Sequence, residues 1–96
     1  MNTLTKDIEA IDVSFDEDSM CVHLSDGRSI STPLAWYPRL YHGTTQERNK
    51  WQIIGKGSGI HWPQLDEDLS VESIILGRPS MEKADSLKKW LESRTA

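Results

Sequence analysis

Ile11-Asp12-Val13-Ser14-Phe15-Asp16-Glu17-Asp18-Ser19-Met20-Cys21-Val22-His23-Leu24 is the stretch on which the fold turns. Ile11, Val13 and Phe15 alternate with polar residues, as in a strand with one buried face, and Met20, Val22 and Leu24 repeat the pattern. The intervening loop, Asp16 to Ser19, sets Phe15 opposite Met20, Val13 opposite Val22 and Ile11 opposite Leu24. Ile30, Thr32 and Leu34 alternate in the same way, so the three segments predict an antiparallel meander. The second turn decides the register, because a slip of one residue sends a strand's apolar face into water. A two-residue Asp26-Gly27 turn would pair Leu24 with Ser29 and turn Ile30 outward. A three-residue loop, Ser25-Asp26-Gly27, with Gly27 left-handed in a bulge, pairs Leu24 with Arg28, Val22 with Ile30 and Met20 with Thr32, and is the form expected.

Beyond the meander, Pro33 cannot donate to a ladder, and Trp36-Tyr37-Pro38-Arg39-Leu40 reads as a short helical turn. Thr44-Thr45-Gln46-Glu47 matches a capping box and predicts a helix from Thr45 to Lys50. Trp51 and Ile53 mark a fourth strand, joined through the flexible Gly55-Lys56-Gly57-Ser58-Gly59 to an extended segment at Ile60 and Trp62. Asp66-Glu67-Asp68 precedes Leu69 to Gly77, which reads as a short helix with acids at its start, strand being the alternative. Ser80 is placed as the N-cap of an amphipathic helix with Met81, Ala84, Leu87, Trp90 and Leu91 on one face, fraying from Ser93 to Ala96. The expected organisation is an α+β domain over residues 1–77, a three-stranded meander plus a fourth strand with short helices, followed by a C-terminal helix over 78–96. That helix either docks on the domain or offers its apolar face to another chain.

Ninety-six residues suffice for one core and not for two. Four tryptophans, Trp36, Trp51, Trp62 and Trp90, bring about 200 Å² of buryable surface each and are expected to carry much of that core. A net charge of −4 opposes non-specific attraction to a phosphate backbone and favours a basic or neutral protein partner. Cys21 is the single cysteine, so neither an internal disulfide nor an all-cysteine zinc site can form. Met1 to Glu9 lacks the pattern of a secretory signal, and apolar runs such as Ile74-Ile75-Leu76 are far too short to span a bilayer. These features predict a cytoplasmic protein.

His61 with Asp66, Glu67 and Asp68, joined by His42, could supply imidazole and carboxylate ligands or a general acid–base set. No HExxH, CxxC or helically spaced histidine pair supports a metal, and no cofactor is expected. Cys21 falls on the polar face of its strand with no base beside it in sequence, which makes it a solvent-facing thiol rather than a nucleophile. The Gly55-x-Gly57-x-Gly59 stretch lacks the pattern of a phosphate loop and reads as turn glycines. Arg39, Arg48 and Lys50, near Trp36, Tyr37, Tyr41 and Trp51, are the nearest approach to an aromatic and basic nucleic-acid surface. Three adjacent carboxylates, Asp66, Glu67 and Asp68, resist burial unless paired and would attract a basic surface.

Leu24-Ser25-Asp26-Gly27-Arg28, Trp36-Tyr37-Pro38-Arg39-Leu40, Glu47-Arg48 with Trp51, Gly59-Ile60-His61-Trp62-Pro63 and Leu65-Asp66-Glu67-Asp68-Leu69-Ser70-Val71 succeed one another at the spacing of a known family. Over roughly residues 10 to 77 the chain resembles domain-of-unknown-function family 2442. The resemblance implies a compact α+β fold in bacteria or their phages and no established enzymatic activity. It also implies relatives fused to a helix-turn-helix, and relatives encoded beside another small protein in the manner of toxin and antitoxin. The segment after Gly77 is too short for a helix-turn-helix. The expected function is therefore a small non-enzymatic protein-interaction or regulatory module, an antitoxin-like member of a pair, as monomer or small homo-oligomer. The residues expected to meet the protein partner are Asp66, Glu67, Asp68, Arg39, Arg48, His61 and Trp62. A transcriptional accessory that binds nucleic acid weakly is the alternative, and a metal-dependent enzyme the third reading.

Overall fold

A computed structural model describes residues 7–95 of the chain. Most of the Met1 to Glu9 stretch read for an export signal, and Ala96, with which the expected fraying ends, lie outside the described residues. Strands β1 (Ala10–Phe15), β2 (Ser19–Leu24) and β3 (Ser29–Pro33) form the antiparallel meander in that order. Phe15 stands opposite Met20, Val13 opposite Val22, Val22 opposite Ile30 and Met20 opposite Thr32, as the alternation requires. The second turn takes the bulged form. Leu24 N–H donates to the Arg28 carbonyl at 2.8 Å, and Gly27 sits at a φ of 95°, where an L side chain is strained.

The first strand departs from simple alternation at its start. Ala10, not Ile11, stands opposite Leu24, and the next paired residue is Asp12, opposite His23. Ile11 is the extra residue of a β-bulge, which interrupts the two-residue period and leaves it 61% exposed, while Ala10 and Val13 are both buried.

After β3 a 3-10 turn over Leu34–Trp36 leads into helix α1 (Pro38–His42), with Pro at its first position where a missing N–H costs nothing. Helix α2 (Thr45–Arg48) carries the full capping box: Thr44 Oγ1 accepts from Glu47 N–H and the Glu47 carboxylate accepts from Thr44 N–H. It stops two residues short of the expected Lys50.

The second half of the domain holds a separate antiparallel sheet, β4 (Gln52–Ile54), β5 (Gly59–Trp62) and β6 (Glu67–Ser70), ordered β4-β5-β6. The glycine stretch makes the β4–β5 connection. Gly57, at a φ of 93°, packs so closely on Glu9 that an added Cβ would lie 2.5 Å from the Glu9 Cβ. Leu69 to Gly77 turns out to be both of the elements weighed for it. Leu69 and Ser70 finish β6, and Ser70 Oγ then caps helix α3 (Val71–Ile75) by accepting from Ser73 N–H. Asp66 to Asp68 consequently lies at a strand and not at a helix start.

Residues of both sheets and of the helices between them share one core: Met20, Val22 and Leu24 meet Ile60, Trp62, Leu65, Val71 and Ile74, with Leu34, Tyr37 and Leu40. Of the four tryptophans only Trp62 is fully buried. Trp51 and Trp90 pack against the core from its margin and Trp36 is 36% exposed, so aliphatic side chains supply most of the interior.

The last helix, α4 (Ala84–Thr95), begins later than the sequence suggests and continues through Ser93. Ser80 does accept from Glu82 N–H, yet the chain there is not helical: Ser80 N–H donates to the Trp36 carbonyl and Glu82 is gripped by Arg39. Met81, released from any helical face, is 90% exposed. The helix docks in cis through its half-buried Leu87, Trp90 and Leu91 and through a pair of ionic grips described below.

Candidate functional site

Beside the second sheet lies a groove of about 980 Å³. One wall is the outer strand β6 with the preceding turn, carrying Asp66, Glu67 and Asp68; Ser70 and Ser73 continue it into α3. The segment before α4, through Arg78, Pro79, Met81 and Lys83, also lines it. A shallower hollow of about 580 Å³, between Arg39, Asp66 and the Lys89 and Trp90 side of α4, extends it. The acidic run thus coincides with the edge strand of the second sheet.

The edge is partly capped by side chains. Arg39 Nη1 donates to the Asp66 carbonyl at 3.0 Å, and Asp68 N–H donates to the Glu67 carboxylate at 3.1 Å. Asp66 has a backbone φ of 51°, which turns its carboxylate out into solvent, 88% exposed. Asp68 is 68% exposed and contacts His61 Nδ1 across the strand pair, where the register sets the two opposite. Glu67 differs from its neighbours. It is half-buried, and burial raises its carboxyl above the ordinary range, outweighing the Asp68 amide and the Arg39 charge that act to lower it.

Arg39 organises the rim. Its guanidinium takes both oxygens of Glu82, with contacts between 2.6 and 3.0 Å, reaches Asp66 at 3.4 Å, and lies 5.3 Å from the Trp90 ring centre. Arg94 covers the same ring at 4.6 Å and binds Glu47 at 2.7 Å. Two arginines therefore lie over Trp90, each anchored to a carboxylate. The Arg94 hydrogen bonds, aided by the Thr44 amide, hold Glu47 down to about 2.

The remaining expected residues are accounted for as follows. Arg48 Nη1 donates to the carbonyls of Leu40 and Gly43 and so closes the end of α1. Trp62 has no exposed surface, and its indole N–H donates to the Arg48 carbonyl at 2.9 Å, so it cannot touch a partner. Both residues leave the candidate surface for the framework, while Asp66, Glu67, Asp68, His61 and Arg39 come together on it. Among the described residues, no group of three or more His, Cys, Asp and Glu side chains is arranged to hold a metal ion.

Away from the groove, the solvent face of the first sheet brings together residues not considered jointly in the sequence. The His23 ring contacts Ser29 Oγ at 2.8 Å and Ser14 Oγ at 3.4 Å, with Cys21 paired to Ser14. The register that fixes the core fixes this cluster too, since Ser14, Cys21, His23 and Ser29 all occupy outward positions. In a hydrolytic triad an acid orients the imidazole; here Ser29 occupies that nitrogen.

A family model, described as protein of unknown function (DUF2442), matches residues 10–80. The chain belongs to this family. The match covers both sheets and ends before α4. Among solved structures, a similar fold appears in a protein of unknown function from Rhodospirillum rubrum, 25% identical with a TM-score of 0.68, the match covering 78% of this chain and 93% of that one. An uncharacterised protein from Chromobacterium violaceum has the same fold at 20% identity and a TM-score of 0.65, over 90% of this chain and 75% of that one. Comparison with curated proteins finds no match. Among the described residues no helix is long and apolar enough to cross a membrane.

Proposed function

We propose that this DUF2442 protein is a non-enzymatic protein-interaction module of the cytoplasm, the regulatory and antitoxin-like member of a pair. It binds an extended, basic segment of its partner along β6. The observation that carries this reading is the coincidence of the acidic run with an edge strand beside a groove of about 980 Å³. An incoming strand takes up backbone groups of an open edge, and acidic side chains at alternate positions select a basic sequence. The two side-chain caps on that edge, Arg39 on the Asp66 carbonyl and Glu67 on the Asp68 amide, are what a partner strand would displace. Arg39 and Arg48, on which a nucleic-acid surface depended, are both engaged within the fold.

Charge reversal at the edge tests the reading. Tagged protein and an Asp66→Lys/Asp68→Lys variant are used to capture partners from host lysate with and without nuclease treatment. A protein held by the parent and lost by the folded variant is the expected result. Equal capture by both, or capture that disappears with nuclease, contradicts it.

A further inference from the structure

One guanidinium joins the acidic edge to the C-terminal helix. Arg39 Nη1 donates to the carbonyl of Asp66, immediately before β6, at 3.0 Å, while Nε and Nη2 donate to Glu82 at 2.6 to 3.0 Å. The two attachments are unequal. The Asp66 carboxylate is 88% exposed and 3.4 Å away, whereas the Arg39 and Glu82 side chains are 16% and 9% exposed and meet through both carboxylate oxygens. A two-oxygen, charge-assisted grip shielded from water is stronger and better oriented than a single bond to a carbonyl. Arg39 is therefore placed by Glu82, and its cap on the Asp66 carbonyl follows from that placement.

Glu82 is in turn tied to α4. Ser86 Oγ, in the first turn of the helix, donates to the same Glu82 oxygen that takes Arg39 Nη2, at 2.7 Å. One turn further on, the Trp90 ring lies 5.3 Å from the Arg39 guanidinium carbon, and the Arg94–Glu47 pair secures the far end of the helix. Contacts thus run unbroken from the start of β6 through Arg39 and Glu82 to α4. Arg39 lies within the family match over residues 10–80, while Glu82, Ser86 and Trp90 lie beyond it.

A strand arriving along β6 needs the carbonyl that Arg39 occupies, and a basic segment also meets the Arg39 charge, since that side chain lines the groove. We infer that docked α4 is an autoinhibitory latch: through Glu82 it keeps Arg39 on the start of β6, and undocking the helix opens the edge to a basic segment of the partner. This regulates the edge assigned above and rests on that assignment. Coupling between two sites is reciprocal, so a segment that takes the edge also loosens α4.

The probe is a heptapeptide of alternating lysine and threonine, blocked at both ends, titrated into full-length protein by calorimetry and by NMR at the Trp90 indole N–H. Two variants open the latch differently. Arg39→Gln/Glu82→Gln removes guard and tie together and leaves the net charge unchanged; Trp90→Ala loosens the helix and leaves every charge in place. The first should bind the peptide about tenfold more tightly than the parent and the second about threefold. In the parent, the Trp90 signal should move as the peptide saturates.

Equal affinity in the parent and both variants, or a Trp90 signal unmoved at saturation, overturns the inference. Weaker binding by Arg39→Gln/Glu82→Gln also overturns it and makes Arg39 a contact for the partner. If the parent binds the peptide, Asp66→Lys/Asp68→Lys abolishes binding and the latch variants bind like the parent, the edge stands and the latch alone is wrong. If neither the parent nor the unlatched variants bind the peptide, the edge and the latch fall together.

Discussion

Trp62 and Glu67 face each other in the register as Cα partners and do opposite work. The indole is buried on the core side, meets Phe15 edge to face with ring centres 6.4 Å apart, and satisfies its one donor on the Arg48 carbonyl. Trp62→Ala should lose about 3–5 kcal/mol in urea unfolding, from the cavity and from the Arg48 carbonyl left unpaired. Glu67 is a half-buried carboxylate that the fold disfavours in its charged form. A raised folded-state value means that the protonated state is the better fitted one, so ionisation works against the fold as pH rises through that value. Glu67→Gln should therefore raise the melting temperature at neutral pH and bring little change in acid. A destabilised variant at neutral pH would show that the carboxylate is held by donors within the fold.

At the scale of elements, α4 is attached by a clasp rather than by a deep interface. Glu47, held down to about 2 by Arg94, and Glu82, lowered by its hydrogen bonds to Arg39, anchor the two arginines that lie over Trp90. Their depressed values mean that the contribution is present above the ordinary carboxylate value of 4.5 and is lost as pH falls toward about 2. The Trp90 indole resonance should move toward its free-helix position over that interval while core signals hold. Deleting residues 84–96 should leave a folded domain at a loss of about 2–3 kcal/mol, because both sheets are complete without it. Collapse of the truncated domain would mean that the helix is part of the core. The meander was legible in the sequence because alternation and turn chemistry agree, down to the bulge at Gly27. The bulge at Ile11 was not, since Ala10 is too small to announce a buried position against a neighbouring isoleucine. The second sheet was half-legible: its strands are three or four residues long, and β6 hides within a run of acids that resembles a helix start. Ser80 misled as an N-cap because its hydrogen bond to Glu82 is real while the helix begins only at Ala84, with Glu82 turned to Arg39.

Across the whole molecule, two small sheets share one core, and the acidic edge of the second is the surface proposed for binding. That the acids are adjacent was plain from Asp66-Glu67-Asp68, and Trp62 was expected in the core; that Arg39 would reach the acids from 27 residues away required the fold. The exposed side chains Ile11, on the far sheet, and Met81, beside the groove, offer competing contact points at 61% and 90% exposure. Hydrogen–deuterium exchange of the protein with and without the captured partner decides between them. Binding along β6 should slow exchange at residues 66–70 and at the neighbouring segment 78–83, with the first sheet unchanged. Protection confined to the Ile11, Ser14 and His23 face, with β6 exchanging as in the free protein, would contradict the proposal that this edge is where the protein works.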